Sequence, residues 1–271
     1  MLARRALRAE WTKLRTVQST GWILLGVALL TAAIGALVSW DLTPPDCDRA
    51  DPSCDFDLTK LSLSGVYLGQ AAVVVLAVLA ITSEYEAGMI RTTLAACPRR
   101  LAVLAAKVVV VVSVILLAAV VSVALSLVAG REILARNGFV PSAGYPPLSL
   151  GDGSTLRAYG GTVLYLGLVA IVALGIGFVV RHTGGTVTLV LGLLYIAPIL
   201  TIAVTQPRWR EWIEQVSPMT AGLAIQATLR LDTLSISPWR GLGVLALYAL
   251  GSTLAGAIAF RLRDASRQPS S

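Results

Sequence analysis

Few side chains in this 271-residue sequence could do chemistry, and they fall into three groups. Cys47 and Cys54 stand seven apart among Asp and Pro residues. Two thiols so placed in an oxidising space can close a small disulfide loop; otherwise they stay free. His182 is the sole histidine, so no two-His metal motif can be written. The third and richest group lies between residues 82 and 107. There Glu84, Gly88, Arg91, Leu94, Pro98, Arg99, Arg100 and Lys107 surround a short apolar body. Such a body, with charges of both signs around it, suits docking into a groove better than it suits catalysis, because the charges set register. Pro98 should end any helix formed there. The competing reading is a solvated linker whose arginines only set topology. Cys97, in the same segment, is read as a reduced thiol.

The elements that must carry these residues are apolar. The chain is 56% hydrophobic and 14% charged. Six uncharged runs, at about 21–40, 61–81, 108–130, 158–180, 187–204 and 241–260, are each long enough to cross a bilayer. They have no polar face, which a soluble helix needs. The sequence therefore predicts one all-α integral membrane domain over residues 1–271. No ionisable residue falls within a run, which argues against a proton relay or an intramembrane hydrolase. No nucleotide-binding loop is present, so no catalytic or cofactor site is expected.

Net charge is +7. In a soluble protein that would suggest nucleic acid; here its distribution is topological. With both termini inside, inner segments hold 13 Lys/Arg and outer segments nine. The positive-inside rule thus places both termini in the cytoplasm, with Cys47 and Cys54 outside and Cys97 inside. Anionic lipid is the expected partner of the basic excess, and nucleic acid is not. The first apolar run is too long for a signal-peptide core and should remain as an anchor. Residues 1–18 pattern as an interfacial helix, with Leu7, Trp11 and Leu14 beside a basic rim. Residues 261–271 read as a cytoplasmic tail.

Small and polar residues mark helix contacts. Ser62, Ser64, Gly65, Gly69 and Gln70 in the second run should face other helices or a water-filled path. The fourth and sixth runs are Gly-rich, and the sixth has a small-xxx-small step from Ser252 to Gly256. Pro198 should kink the fifth. Arg181–Thr186 reads as a tight turn. After the fifth run, Trp209 and Trp212 pattern as an interfacial belt. Ser217 and Pro218 then offer an N-cap and a first-turn proline. The apolar stretch that follows is too short to span.

The 82–107 segment resembles the permease family of ATP-binding-cassette type-2 exporters. The likeness rests on Glu84, Gly88 four residues on, a short apolar helix, Pro98 with Arg100 close behind, and Lys107 as the next span begins. Residues 10–15 (Glu-Trp-Thr-Lys-Leu-Arg) look like the start of many bacterial members, and 19 Arg against 3 Lys suits a GC-rich genome. The resemblance implies six transmembrane helices and a cytoplasmic coupling helix between spans 2 and 3. It also implies short re-entrant outer helices between spans 5 and 6, matching 209–231. The chain would be a non-enzymatic permease subunit of an exporter in the cell membrane. It would pair with a second permease, identical or not, and work with a separate ATPase on an unidentified substrate. The alternatives are a non-transporting membrane anchor or assembly factor, or a membrane-embedded enzyme. Co-purification with an ATPase separates the first of these from a permease.

Overall fold

A computed structural model of the protein describes residues 18–40, 57–86, 100–140, 145 and 148–265. Among these residues the secondary structure is helical throughout. The order is α1 (Gln18–Trp40), α2 (Leu58–Ser62), α3 (Val66–Glu86), α4 (Arg100–Arg136), α5 (Gly153–Val180), α6 (Thr183–Ala203), α7 (Pro207–Val216), α8 (Pro218–Leu223) and α9 (Pro238–Ala265). Two 3-10 turns, Ala224–Gln226 and Leu231–Thr233, follow α8.

Five of these helices, α3, α4, α5, α6 and α9, are long and apolar enough to cross a membrane. A sixth, α1, covers the first predicted run, with Ala28–Trp40 as its described apolar part. The helices overrun the predicted spans at most ends. The second run breaks at residues 63–65, so its long helix starts at Val66 and continues to Glu86. The third extends at both ends, to Arg100 and Arg136. The 82–107 loop therefore shrinks: its flanks are helical, and only 87–99 lie between α3 and α4. Charged residues outside the hydrocarbon satisfy their backbone groups by continuing a helix as readily as by leaving it, so a hydropathy boundary is not a helix boundary. The predicted turn at 181–186 contracts in the same way, since Thr183–Thr186 open α6. The predicted tail is helical as far as Ala265. Pro198 sits inside α6, which continues to Ala203.

Close packing comes from small residues, since lipid removes most of the hydrophobic drive between membrane helices. The Ser252–Gly256 step does press α9 onto α5. A Cβ on Gly175 would lie 2.5 Å from the Ser252 carbonyl carbon, and one on Gly256 would lie 2.9 Å from the Gly175 oxygen. Gly65 and Gly69 face Thr31 of α1, whose atoms a Cβ at either position would strike. The main apolar core joins α3, α4, α5, α6, α8 and α9 around Tyr165, Leu174 and Leu245. A smaller cluster around Leu63, Leu134 and Phe139 closes one end. Hydroxyls within helices bond back to the preceding turn, as Thr162 does to the Ala158 carbonyl at 2.7 Å and Ser39 to Gly35 at 2.8 Å.

Candidate functional site

Polar side-chain contacts between helices gather at two ends of the bundle. At the first, α3 finishes and α4 begins, so residues 87–99 leave and re-enter between neighbouring stems. Gly88, Arg91, Leu94, Pro98 and Arg99 lie outside the described residues, as does Cys97. Glu84 falls in the last turn of α3 and Arg100 opens α4. Lys107 is described, and it is buried between the stems. It is only 5% exposed, and its Nζ donates to the Ala80 carbonyl of α3 at 3.1 Å. A buried ammonium needs acceptors, and a helical carbonyl has a second lone pair to offer. Lys107 is thus a brace between the two stems rather than part of an exposed contact.

Sequence reasoning missed the other ties at this end. Thr82 Oγ1 lies 2.6 Å from Thr183 Oγ1, joining α3 to the start of α6. Arg181 ends α5 in the left-handed region, with φ of 61°. Its guanidinium carbon sits 5.0 Å from the centroid of the Tyr85 ring on α3, a cation–π contact. His182 is an N-cap, its Nδ1 accepting from the Gly185 amide at 3.2 Å. The signal was present: Arg-His-Thr-Gly-Gly places an N-capping side chain just before glycines that can approach it. The Tyr85–Arg181 pair, separated by the two helices α4 and α5, left no local trace.

At the second end, α7 and α8 form a hairpin. Every residue of α7 is at least partly exposed, and Trp209 and Trp212 meet edge to face at 6.2 Å. The helix α8 is the opposite: Pro218, Met219, Ala221, Gly222 and Leu223 are buried. Ser217 occupies the expected N-cap position, but its side chain makes no capping hydrogen bond. Non-spanning backbone at this depth is tolerated because protein surrounds it. Gly222 lies over the Tyr165 ring, where a Cβ would come within 2.7 Å of the ring edge, and Gly241 of α9 meets the Ala221 carbonyl.

Gln70 holds this plug from beneath. It is fully buried, its Oε1 accepts from the Tyr165 hydroxyl, and its Nε2 donates to the Tyr67 carbonyl at 3.2 Å and to the Met219 sulfur at 3.1 Å. Tyr195 of α6 donates to the same Tyr67 carbonyl. One amide thereby links α3, α5 and α8, which accords with the expectation that Gln70 faces other helices. Above the plug, the Asp57 carboxylate caps α2 through the Lys60 amide at 3.0 Å. It also accepts from the Thr228 amide at 2.5 Å, the Thr228 hydroxyl at 2.7 Å and the Leu229 amide at 3.2 Å. Arg157 of α5 donates to the Ala227 carbonyl. Both charges were countable in the sequence, but their long-range partners were not. Cys47 and Cys54 lie outside the described residues, as do residues 1–17 with their predicted interfacial helix.

Long apolar helices around the short, buried helix α8 define a multi-pass helical membrane protein. The family model described as ABC-2 family transporter protein matches residues 6–198, and the chain belongs to that family. It is accordingly an ABC transporter permease, a transmembrane component of transport. No curated protein matches it.

Proposed function

We propose that this chain is the transmembrane subunit of an ABC exporter in the cell membrane, working with ATP hydrolysed by a separate subunit. Two permease subunits, identical or different, would enclose the substrate path, with α1 as the sixth span and both termini cytoplasmic. The observation that carries the reading is the bracing of the stems beside residues 87–99. Lys107 ties the start of α4 to α3, while Thr82 and Tyr85 tie the end of α3 to the start of α6 and to Arg181 at the end of α5. A loop mounted on fixed stems passes force to the bundle, whereas a loose linker would dissipate it. ATP binding would move the partner ATPase against Glu84, Gly88, Arg91, Leu94, Pro98, Arg99 and Arg100, and the bundle would shift between inward- and outward-facing states. The α7–α8 hairpin then sits at the outer gate.

The test is co-purification and ATP turnover of the reconstituted complex. Arg91→Ala, Glu84→Ala and a Gly/Ser replacement of residues 91–99 should leave insertion intact and reduce stimulation of the ATPase several-fold. Loss of one partly buried interfacial charge costs about 1 kcal/mol or more. If the full replacement assembles and stimulates as wild type does, the contact lies elsewhere. Topology has its own check. Impermeant thiol reagents on intact, reduced cells should label Cys47 and Cys54 and spare Cys97, and the reverse pattern inverts the orientation. Mass spectrometry without reduction decides whether Cys47 and Cys54 are bridged.

A further inference from the structure

The hairpin end holds a cavity of about 220 Å³ for which the export mechanism above has no use. Lys60, Tyr67 and Glu214 stand on its polar side, and Leu223, Leu234 and Ile236 on its apolar side. The two charges are not equivalent. Glu214 is satisfied from within the protein: one oxygen accepts from Arg210 Nε at 3.1 Å and the other from the Ser235 hydroxyl at 2.5 Å. Lys60 is exposed, and its ammonium has no ion-pair or hydrogen-bond partner among the described residues. Its backbone is held through its amide by Asp57, which anchors the root of the side chain beside the cavity. The Asp57 carboxylate forms no ion pair with the Lys60 ammonium; its oxygens accept from the Lys60 amide and from the amides and hydroxyl around Thr228. The Tyr67 backbone is pinned through its carbonyl by Gln70 and Tyr195, while its ring is 38% exposed and its hydroxyl has no partner among the described residues.

A cation and a phenol without partners among the described residues, beside an apolar wall around one small cavity, favour an anion joined to hydrocarbon. We propose that this cavity binds an anionic amphiphile. Lys60 takes the charge of its phosphate or carboxylate head, Tyr67 donates a hydrogen bond to the same head, and the first carbons of the chain lie against Leu223, Leu234 and Ile236. The volume is below that of a drug-sized pocket, about 300 Å³ and upward, and suits a head group with a short length of chain. Two sources share this chemistry: an anionic lipid of the bilayer and a free amphiphile. The site does not depend on the coupling role of residues 87–99, so it stands or falls apart from the export reading.

The test uses the full chain in nanodiscs of phosphatidylcholine, with octyl phosphate as the probe and octanol as the uncharged control. Thermal midpoints are followed against probe concentration. Octyl phosphate should raise the midpoint saturably, and octanol should need about tenfold more to match it. Lys60→Gln should weaken the octyl phosphate response about tenfold, the usual scale for a charge-assisted contact, and Lys60→Arg should restore most of it. Ala224→Leu, which narrows the cavity from its lining, should weaken octyl phosphate and octanol alike. Repeating the titration with phosphatidylglycerol in the disc separates the sources: a lost response means that bilayer lipid fills the site, and a retained one means a free ligand. Equal responses to octanol and octyl phosphate, or an unchanged response in Lys60→Gln, would overturn the proposal.

Discussion

Helices α5 and α6 follow one another with only Arg181 and His182 between them, and both are apolar enough to span, yet 61% of an 18-residue apolar stretch of the first is buried inside the protein against 17% of the corresponding stretch of the second. The difference lies in residue size. On α5, Gly161, Gly167 and Gly175 let Ile225, Leu116 and the Ser252 backbone come within contact of its own backbone. On α6, Leu189, Ile196, Ile199 and Ile202 stand exposed, and Gly192 meets nothing closer than the Ile196 side chain at 3.5 Å. Hydropathy treats lipid and protein as one solvent, whereas packing separates them. A span that touches protein carries small residues and polar groups with partners, and a span that touches lipid carries branched apolar ones.

The contrast breaks most sharply at its glycines. Between the two helices, Gly175→Leu should be far more damaging than Gly192→Leu, since its neighbouring atoms include the backbone of Ser252, which cannot rotate away. A cost of about 3 kcal/mol or more, or loss of folded yield, is expected. Gly192→Leu should melt within a degree or two of wild type, because its surroundings are open. Thermal unfolding of the two purified variants in one detergent makes the comparison directly, and equal losses would erase the distinction between α5 and α6.

Polar groups sharpen it at a smaller scale. Tyr165→Phe removes the donor to Gln70 and leaves a buried amide oxygen without its partner. Hydrogen bonds between membrane helices average about 0.6 kcal/mol and reach about 1.7, and Tyr165 should fall at the upper end because α8 also rests on its ring. Tyr195→Phe, at a half-buried site on α6, should cost less, since water or lipid head groups can replace the lost donor. The readout is the shift in unfolding midpoint for each variant. A larger shift for Tyr195→Phe would mean that α6 is the better-packed helix at this level.

How far the sequence disclosed this architecture follows from which interactions are local. The apolar runs, the short buried segment after Pro218 and the Ser252–Gly256 contact were legible, because each is written as length or spacing along one helix. Which glycine matters was not: Gly160 and Gly161 are adjacent, yet a Cβ at the first would meet nothing and one at the second would strike Ile225. Gln70 could be marked as inward-facing from its cost in lipid, but its partner Tyr165 lies 95 residues away and depends on the fold. Lys107 was grouped with the contact residues because the resembled family pattern places a Lys where the next span begins. Its burial depends on the approach of the Ala80 carbonyl from α3, which only the tertiary structure supplies.

The smallest expected effect is the most informative about assembly. Ile199 and Ile202 are 63% and 87% exposed near the end of α6, and lipid would cover them in an isolated subunit. Replacing both with Ala removes contacts that lipid chains make almost as well with the shorter side chain, so the folded state should lose no more than about 0.5 kcal/mol. A protein-covered position behaves otherwise, because a rigid neighbour leaves a cavity where a fluid chain would close in. The double variant, Ile199→Ala with Ile202→Ala, therefore reports what lies against this face. Unfolding in bicelles should match wild type within that margin, with unchanged elution in size-exclusion chromatography. A loss comparable to that of Tyr165→Phe, with a shift toward smaller particles, would mean that a second protein chain covers α6. Its apparent lipid face would then be a subunit interface, and the contrast with α5 would reduce to two kinds of protein contact, one within the chain and one between chains.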